Sequence, residues 1–440
     1  MAGAATLGRT ALFLLPFQIV FRAGEALFPI LLAVWFGHDA QTDLLTFSAA
    51  SFGFFGSLVF SLYQDSALIP VLAEARARDA REIPQLLGSM LAHTLMLGGA
   101  LALCIGVGFA GYASLRYEHE MRRLALLMVP TFSVYLVALS VKTFLAAVLT
   151  FERRFVVQPV VSGVAMAANL STIFLLRGTL GVACVPLGML LGEAVGCAGL
   201  YAALLRAGVS IRWNFERPVA LRDAAKLLVA EVGGSAITRV NPVVDQLMAN
   251  LFVVAGAGTL LKYSGDLSTV PTSLLQATLL PVLIVHLSDA AVAGEMAEFR
   301  RTVGRTVLIV VAVLTALCLL MMLVRVPLCI LVFRRGAMDE AGARGIADIL
   351  PYHLAGVPGF GALLVFARAH VALKNSRIMI SMGIINAVAN AVFNVALVSV
   401  LGARGLALST SFVSTVVAVV FGFRLRVAYA RREVVTEAAS

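Results

Sequence analysis

Charged residues are scarce in this sequence, and that scarcity excludes an ordinary soluble protein. Asp, Glu, Lys and Arg make up 13% of the 440 residues, about half the usual share, whereas 60% are hydrophobic. The apolar residues also form long runs, such as 85–112 and 303–324. A helix that crosses a bilayer needs roughly 20 consecutive apolar residues. We therefore predict an all-α polytopic membrane protein.

The residues that usually perform chemistry are few and dispersed. The five cysteines all lie in apolar stretches without metal-binding spacing, and the six histidines include no pair at i, i+4. The segment Gly106–Gly111 fits G-x-G-x-x-G, but it lies inside an apolar run with no strand before it. No arrangement of a nucleophile and a base stands out in the sequence. We expect no enzymatic activity and no cofactor, with sodium or proton coupling as the open possibility.

Polar breaks divide the apolar residues into twelve predicted spans. The spans are 10–36, 44–72, 85–112, 124–150, 156–176, 180–205, 227–253, 258–285, 304–325, 346–372, 378–401 and 405–424. When Arg305, Arg325 and Arg424 at span ends are counted with the adjoining connectors, alternate connectors hold 20 of the 34 Lys and Arg residues on the side of the termini and 9 on the other side, with 5 inside spans. The positive-inside rule then predicts that both termini are cytoplasmic. Because the net charge of +10 is spread over short connectors, we expect no nucleic-acid binding.

The predicted spans fall into two halves of six. A basic connector, 206–226, separates an N-terminal bundle at 1–205 from a C-terminal bundle at 227–440. Leu68–Leu72 resembles Leu279–Leu283, and Asn169 before Gly181 resembles Asn394 before Gly405. These echoes favour a 6+6 parallel pseudo-repeat with a substrate path between the halves. Chance similarity among Leu-rich helices is the alternative.

Ionisable residues within the predicted spans are the candidates for substrate binding. Each costs roughly 2.5 to 3.5 kcal/mol to insert, so such residues usually face a polar cavity. The candidates are Arg22, Glu25, Lys142, Glu231, Arg239 and Asp266. The alternative is neutralisation within one helix, by Arg22 with Glu25 and by Lys262 with Asp266.

Oxygen-bearing side chains suggest a cation site in the second half. Asn390 and Asn394 lie at i, i+4 on the eleventh span, Thr410 lies on the twelfth, and Asp245 on the seventh is the one carboxylate. One carboxylate with neutral oxygens suits a monovalent cation such as sodium. Hydrogen bonding between the helices is the alternative reading of the asparagines.

Several motifs in order resemble the MurJ/MviN family of lipid II flippases, within the multidrug, oligosaccharide-lipid and polysaccharide exporter superfamily. They are Arg22, Trp35-Phe36-Gly37, Asp43-Leu44-Leu45, Ile69–Glu74, Val243-Val244-Asp245, Leu280-Pro281 and Phe333–Gly336. The resemblance implies the fold of that family and a sodium site to which Leu406 offers its carbonyl group. The family has a second carboxylate where Asn394 stands. Family cavity arginines are also missing, at Phe28-Pro29, Gly56-Ser57 and Asp266.

The two arginines Arg22 and Arg239 are predicted to form an anion clamp. Their separation along the chain equals that of Thr42 and Thr259, which stand at the start of the following spans. Pseudo-equivalent arginines would face each other across the two-fold axis and bind the oxygens of a diphosphate. In the alternative, Glu25 and Glu231 neutralise them.

The resemblance implies a flippase that carries an undecaprenyl-diphosphate-linked sugar, lipid II or a relative, across the bacterial cytoplasmic membrane. We expect a monomer whose partners are this lipid-linked sugar diphosphate and the membrane. An ion-coupled exporter of drugs or organic cations is the first alternative. A non-transporting partner in envelope assembly is the second, and the missing arginines favour it.

Overall fold

A computed structural model describes residues 27–62, 75–154, 156–215, 239–373 and 375–439, together with Gly24 and Leu72. These residues form helices and their connections, with no strand among them, which confirms the predicted all-α fold. The chain divides into two compact units, Met1–Phe36 with Leu44–Ala236 and Gly37–Asp43 with Ile237–Ser440. The predicted domain boundaries at 205 and 227 stay a prediction, because residues 216–238 lie outside the described part.

Most helices of the first unit are long enough to cross a bilayer, at about 1.5 Å of rise per residue. The helices are α1 (Leu27–Phe36), α2 (Ala40–Leu62), α3 (Ile83–Arg116), α4 (His119–Phe151), α5 (Val157–Leu180) and α6 (Cys184–Arg206). α2 begins in the second unit and continues into the first from Leu44. α3 packs against α4, and α6 packs against both α4 and α5, so each of these helices buries a face against a neighbour.

α5 and α6 form a hairpin rather than one continuous span. The chain turns between them at Gly181, whose φ of +52° lies in the left-handed region that favours glycine. Gly192 on α6 approaches α5 so closely that a Cβ there would lie 2.8 Å from the carbonyl oxygen of Ala165. The small residue therefore lets the two backbones meet, as small residues do at the contacts between membrane helices.

The connectors at one end of the first unit contact one another. The backbone N–H of Arg212 donates to the carbonyl oxygen of Pro84 at 2.9 Å. Arg76 forms an ion pair with Glu152, and its guanidinium lies 4.1 Å from the ring centre of Phe151. The predicted topology puts these three connectors on the same side of the membrane, and their contacts agree with that assignment.

The second unit contains the remaining helices. They are α7 (Asn241–Phe252), α8 (Ala257–Ala293), α9 (Met296–Leu323), α10 (Arg325–Phe333), α11 (Glu340–Leu354), α12 (Val357–Ala372), α13 (Ser376–Leu401) and α14 (Ala403–Ala439). α13 packs along α14, and α14 also packs against α11 and α12. A buried cluster that includes Ala249, Leu261 and Leu406 joins α7, α8 and α14.

Length and hydropathy identify six described segments that can cross a membrane. The pair α11 and α12, which meet at a bend of 45°, adds a seventh. One of the six, Val157–Arg206, is the hairpin of α5 and α6 and therefore provides two crossings. The polytopic architecture predicted from the sequence is confirmed.

Candidate functional site

An ion pair inside the first unit neutralises a lysine that the sequence predicted to bind substrate. Lys142 on α4 places Nζ 2.8 Å from both carboxylate oxygens of Glu193 on α6. The two side chains are 23% and 14% exposed. Gly196 makes room for them, since a Cβ there would lie 2.8 Å from Cδ of Lys142. The pairing escaped sequence analysis because the partners lie on different helices, 51 residues apart.

The ion pair opens onto a cavity of about 310 Å³ within the first unit. Its lining residues are Phe28, Tyr135, Lys142, Ser162, Ala165, Met166, Asn169, Met189, Gly192 and Glu193. The side-chain oxygen of Asn169 is buried without a hydrogen-bond partner among the described residues. A buried acceptor without a partner is costly. The cavity thus offers charges, hydroxyls and an amide oxygen, which can bind a ligand rich in hydroxyl and amide groups.

A second polar cluster lies within the second unit, where the sequence predicted a cation site. The amide nitrogens of Asn390 and Asn394 donate to Asp245 Oδ1 at 3.1 and 2.7 Å. The Thr410 hydroxyl lies 3.3 Å from Asp245 Oδ2 and 3.2 Å from the Leu406 carbonyl oxygen. Both asparagines are fully buried. The structure therefore brings together the five residues from three helices, whereas cation binding itself stays a prediction.

The donor set of this cluster fits a monovalent cation. The Asn394 side-chain oxygen is buried and has no hydrogen-bond partner among the described residues. A flip of either amide group would exchange its nitrogen for its oxygen and turn an acceptor toward the carboxylate. Asp245 is the one carboxylate of the cluster, and no group of three His, Cys, Asp or Glu residues that could hold a metal occurs in the described part. A divalent ion would find too little negative charge here.

The remaining predicted binding residues are only partly located. Arg22, Glu25 and Glu231 lie outside the described residues, so the predicted clamp stays a prediction. Arg239 is half-buried in the helical turn before α7. Asp266 accepts from Lys262 Nζ at 2.6 and 2.5 Å, one turn away on α8. This pair matches the alternative of neutralisation within one helix.

Asp43 is a buried carboxylate whose structural role the sequence did not reveal. It lies in the first turn of α2 and is 7% exposed. Its oxygens accept from the backbone N–H groups of Gly256 at 2.6 Å and Thr259 at 2.7 Å, and from the Thr259 hydroxyl at 2.7 Å. The carboxylate thereby caps the N-terminus of α8, where a negative charge is favourable. In the sequence, Gly256 before an apolar run is a weak signal that a helix begins there. A glycine has no side chain that could cap this helix N-terminus, so another residue must do so.

Bilayer-length helices in two units, each with a polar cluster in its interior, define a polytopic membrane transporter. Residues 32–438 match the family described as "Lipid II flippase MurJ". The chain therefore belongs to the MurJ lipid II flippase family, whose members are transporters rather than catalytic enzymes. No curated protein matches the sequence.

Solved structures of two transporter types share this fold. The inward closed conformation of lipid II flippase MurJ is 16% identical with a TM-score of 0.79, over 94% of this chain and 87% of that one. An inward-facing multidrug resistance MATE family transporter of the MOP superfamily is 12% identical with a TM-score of 0.78, over 94% and 95%. At such low identity, these similarities establish the fold and leave the substrate open.

Proposed function

We propose that this protein is a flippase that carries an undecaprenyl-diphosphate-linked envelope precursor, lipid II or a related lipid-linked oligosaccharide, to the outer leaflet by alternating access. The observation that best supports this proposal is the polar cavity inside the first unit. The chain also belongs to a family that transports lipid-linked precursors. We place the protein in the bacterial cytoplasmic membrane, as a monomer with both termini cytoplasmic. An anionic headgroup that moves outward gains about 2.3 kcal/mol per charge per 100 mV of inside-negative potential.

The cavity and the predicted clamp have different roles in this proposal. Lys142 and Glu193 compensate each other's charge, so the cavity suits the hydroxyl and amide groups of a sugar better than a bare diphosphate. A diphosphate is bound best by guanidinium groups that contact two of its oxygens at once, which is the role we assign to Arg22 and Arg239. Glu25 and Glu231 are proposed to tune those arginines, and Asp266 enters the path only when Lys262 releases it.

Sodium binding at Asp245, Asn390, Asn394, Thr410 and the Leu406 carbonyl group is the proposed coupling step. A bound cation would displace the amide nitrogens from Asp245 and thereby change the packing of α7 against α13 and α14. Such a change biases one transport conformation over another. Because Asn394 contributes no charge, we expect weaker sodium binding than a site with two carboxylates provides.

Export of organic cations is the second candidate. The similarity to a MATE family transporter, with a TM-score of 0.78, nearly equals that to MurJ. Glu193 supports this candidate, because a cationic substrate would compete with Lys142 for its carboxylate.

Complementation separates the two candidates. We expect this chain to restore growth to bacteria depleted of their lipid II flippase, and the Lys142→Met variant to do so less well at equal expression. The matched control is Arg344→Met, which removes an exposed cation that Glu340 already neutralises on the same helix. If the wild type fails to complement but lowers the accumulation of a cationic dye, the exporter is the correct assignment.

A further inference from the structure

A deep apolar groove of about 860 Å³ runs between α9, α12 and α14 in the second unit. Its walls carry large apolar side chains. Among them are Val303, Leu308, Phe366, Val419 and Phe423. Gly304 leaves space in the groove, because no heavy atom lies within 4 Å of the place where a Cβ would stand, whereas Gly359 and Gly422 let α12 and α14 pack closely behind it. Leu308 is 71% exposed, so the groove is open to whatever surrounds the helix bundle.

One end of the groove is basic and polar. Arg300 on α9 and Arg426 on α14 line it there, and both are exposed. Tyr429 lies beside them, and its hydroxyl is buried without a hydrogen-bond partner among the described residues. The ring of Tyr429 packs edge-on against Phe299 with centroids 5.8 Å apart. Packing thus holds a hydroxyl donor at the same end as two guanidinium groups.

The length of the groove corresponds to one leaflet of a bilayer. Along α9 it extends from Arg300 to Val311, which is about 17 Å at roughly 1.5 Å per residue. The hydrocarbon core of a bilayer is about 30 Å thick. The predicted topology puts Arg300 and Arg426 at the cytoplasmic surface, so the groove descends from that surface to about the middle of the membrane.

We propose that the groove binds an anionic phospholipid of the cytoplasmic leaflet. Its phosphate accepts hydrogen bonds from Arg300, Arg426 and the Tyr429 hydroxyl, and its acyl chains lie along the apolar walls. Basic pockets between helices on the cytoplasmic side are suited to such headgroups. A guanidinium has five donors, so Arg300 can contact the phosphate as well as a protein partner. A neutral helix from another protein would leave the basic end uncompensated, whereas a phospholipid matches both the charge and the apolar depth.

The first experiment measures headgroup selectivity of the full-length protein in a neutral detergent by native mass spectrometry. Dioleoyl phosphatidylglycerol should be retained more strongly than dioleoyl phosphatidylcholine, which has the same chains. The double variant Arg300→Gln/Arg426→Gln should weaken retention of phosphatidylglycerol by roughly 30-fold, since each interfacial arginine contributes a factor of about five. Arg424→Gln is the matched control, because Arg424 lies on α14 two residues from Arg426 but outside the groove.

The second experiment closes the groove sterically. Leu308→Trp should reduce retention of phosphatidylglycerol, because Leu308 lines the groove. Ile309→Trp should not, because Ile309 is 50% exposed on the same helix but does not line it. The thermal midpoint of each variant without added lipid verifies that it is folded.

Three results would overturn the proposal. Retention by the Arg300→Gln/Arg426→Gln variant could equal that of the wild type. Arg424→Gln could lose as much binding as the double variant, which would indicate a general effect of surface charge. Equal losses from Leu308→Trp and Ile309→Trp would show that the groove is not where the chains bind. The proposal does not depend on which substrate is transported, so failure of complementation leaves it intact.

Discussion

At the scale of single residues, the two interior clusters show how buried charge is compensated in this chain. Lys142 meets Glu193 from another helix, and Asp245 accepts from two asparagines and a threonine. Asp43 accepts three hydrogen bonds at the start of α8. In each case the charge is retained inside an apolar bundle because neighbouring polar groups replace the water that burial removes.

Removal of either member of the Lys142–Glu193 pair should destabilise the protein. Lys142→Met and Glu193→Gln should each lower the free energy of unfolding by about 1 to 3 kcal/mol, because each leaves a partly buried charge without its partner. The double variant should recover most of that loss. Thermal unfolding in detergent measures the cycle, and additive losses in the double variant would show that the two residues are not coupled.

The Asp43 carboxylate should stabilise α8, because it accepts hydrogen bonds from the N-terminus of that helix. Thr259→Val removes the hydroxyl that donates to Asp43 and should cost about 1.5 to 3 kcal/mol, the range for a hydrogen bond to a charged group. Thr259→Ser keeps the hydroxyl and should be close to the wild type in thermal unfolding. A loss of stability in Thr259→Ser but not in Thr259→Val would attribute the effect to the methyl group of Thr259 instead.

At the scale of helices, close approach and kinks determine where the functional side chains lie. α5 meets α6 at Gly192, and the bend of 45° between α11 and α12 divides what would otherwise be one span. The Asp245 cluster depends on α7, α13 and α14 together, since each contributes a polar side chain. The hydrophobic pattern of the sequence does not by itself determine which helices pack against one another.

Substitution by alanine should affect the stability of the protein differently at two glycines of the α5–α6 hairpin. Gly192→Ala should destabilise, because its Cβ would lie 2.8 Å from the Ala165 carbonyl oxygen. Gly163→Ala on α5 should be neutral or stabilising by up to about 1 kcal/mol, because no heavy atom lies within 4 Å of its Cβ and alanine favours a helix. Thermal midpoints measure both, and stabilisation by Gly192→Ala would contradict the close packing.

Sodium should stabilise the wild type if the Asp245 cluster binds it. Sodium chloride should raise the thermal midpoint above that in potassium chloride at equal ionic strength, and Asp245→Asn should abolish the difference. Asn394→Asp should increase the apparent sodium affinity, because a second carboxylate adds favourable charge. A midpoint that is insensitive to sodium in both the wild type and Asn394→Asp would leave the cluster as a hydrogen-bond network alone.

At the scale of the whole molecule, the distribution of basic residues orients the chain. The connectors around Arg76, Glu152 and Arg212 contact one another at one end of the first unit. This arrangement agrees with the predicted spans, which put these three connectors on the same side of the membrane. The absolute orientation rests on the positive-inside rule.

Reporter fusions test that orientation directly. Alkaline phosphatase, which is active only in the periplasm, should be inactive when fused after Lys226 and active when fused after Gly336, in the connector between the ninth and tenth predicted spans. The second fusion verifies that the reporter works in this protein. Activity after Lys226 would require a different number of spans before the basic connector.

The sequence by itself determined the class of protein. Long apolar runs with few charges permit only membrane-spanning helices, because a bilayer offers no water to backbone groups. Ordered motifs such as Asp43-Leu44-Leu45 and Leu280-Pro281 indicated the family. The i, i+4 spacing of Asn390 and Asn394 also predicted that they share one face of α13, and both side chains donate to Asp245.

Only the tertiary structure decided which charges compensate one another. Lys142 and Glu193 lie on separate helices, and Asp43 accepts from Gly256, which stands 213 residues later in the chain. Such pairs depend on the rotation and depth at which helices pack, and an apolar pattern common to every span carries no information about either. The same holds for the groove of α9, α12 and α14, because it exists only where three distant segments leave a space between them.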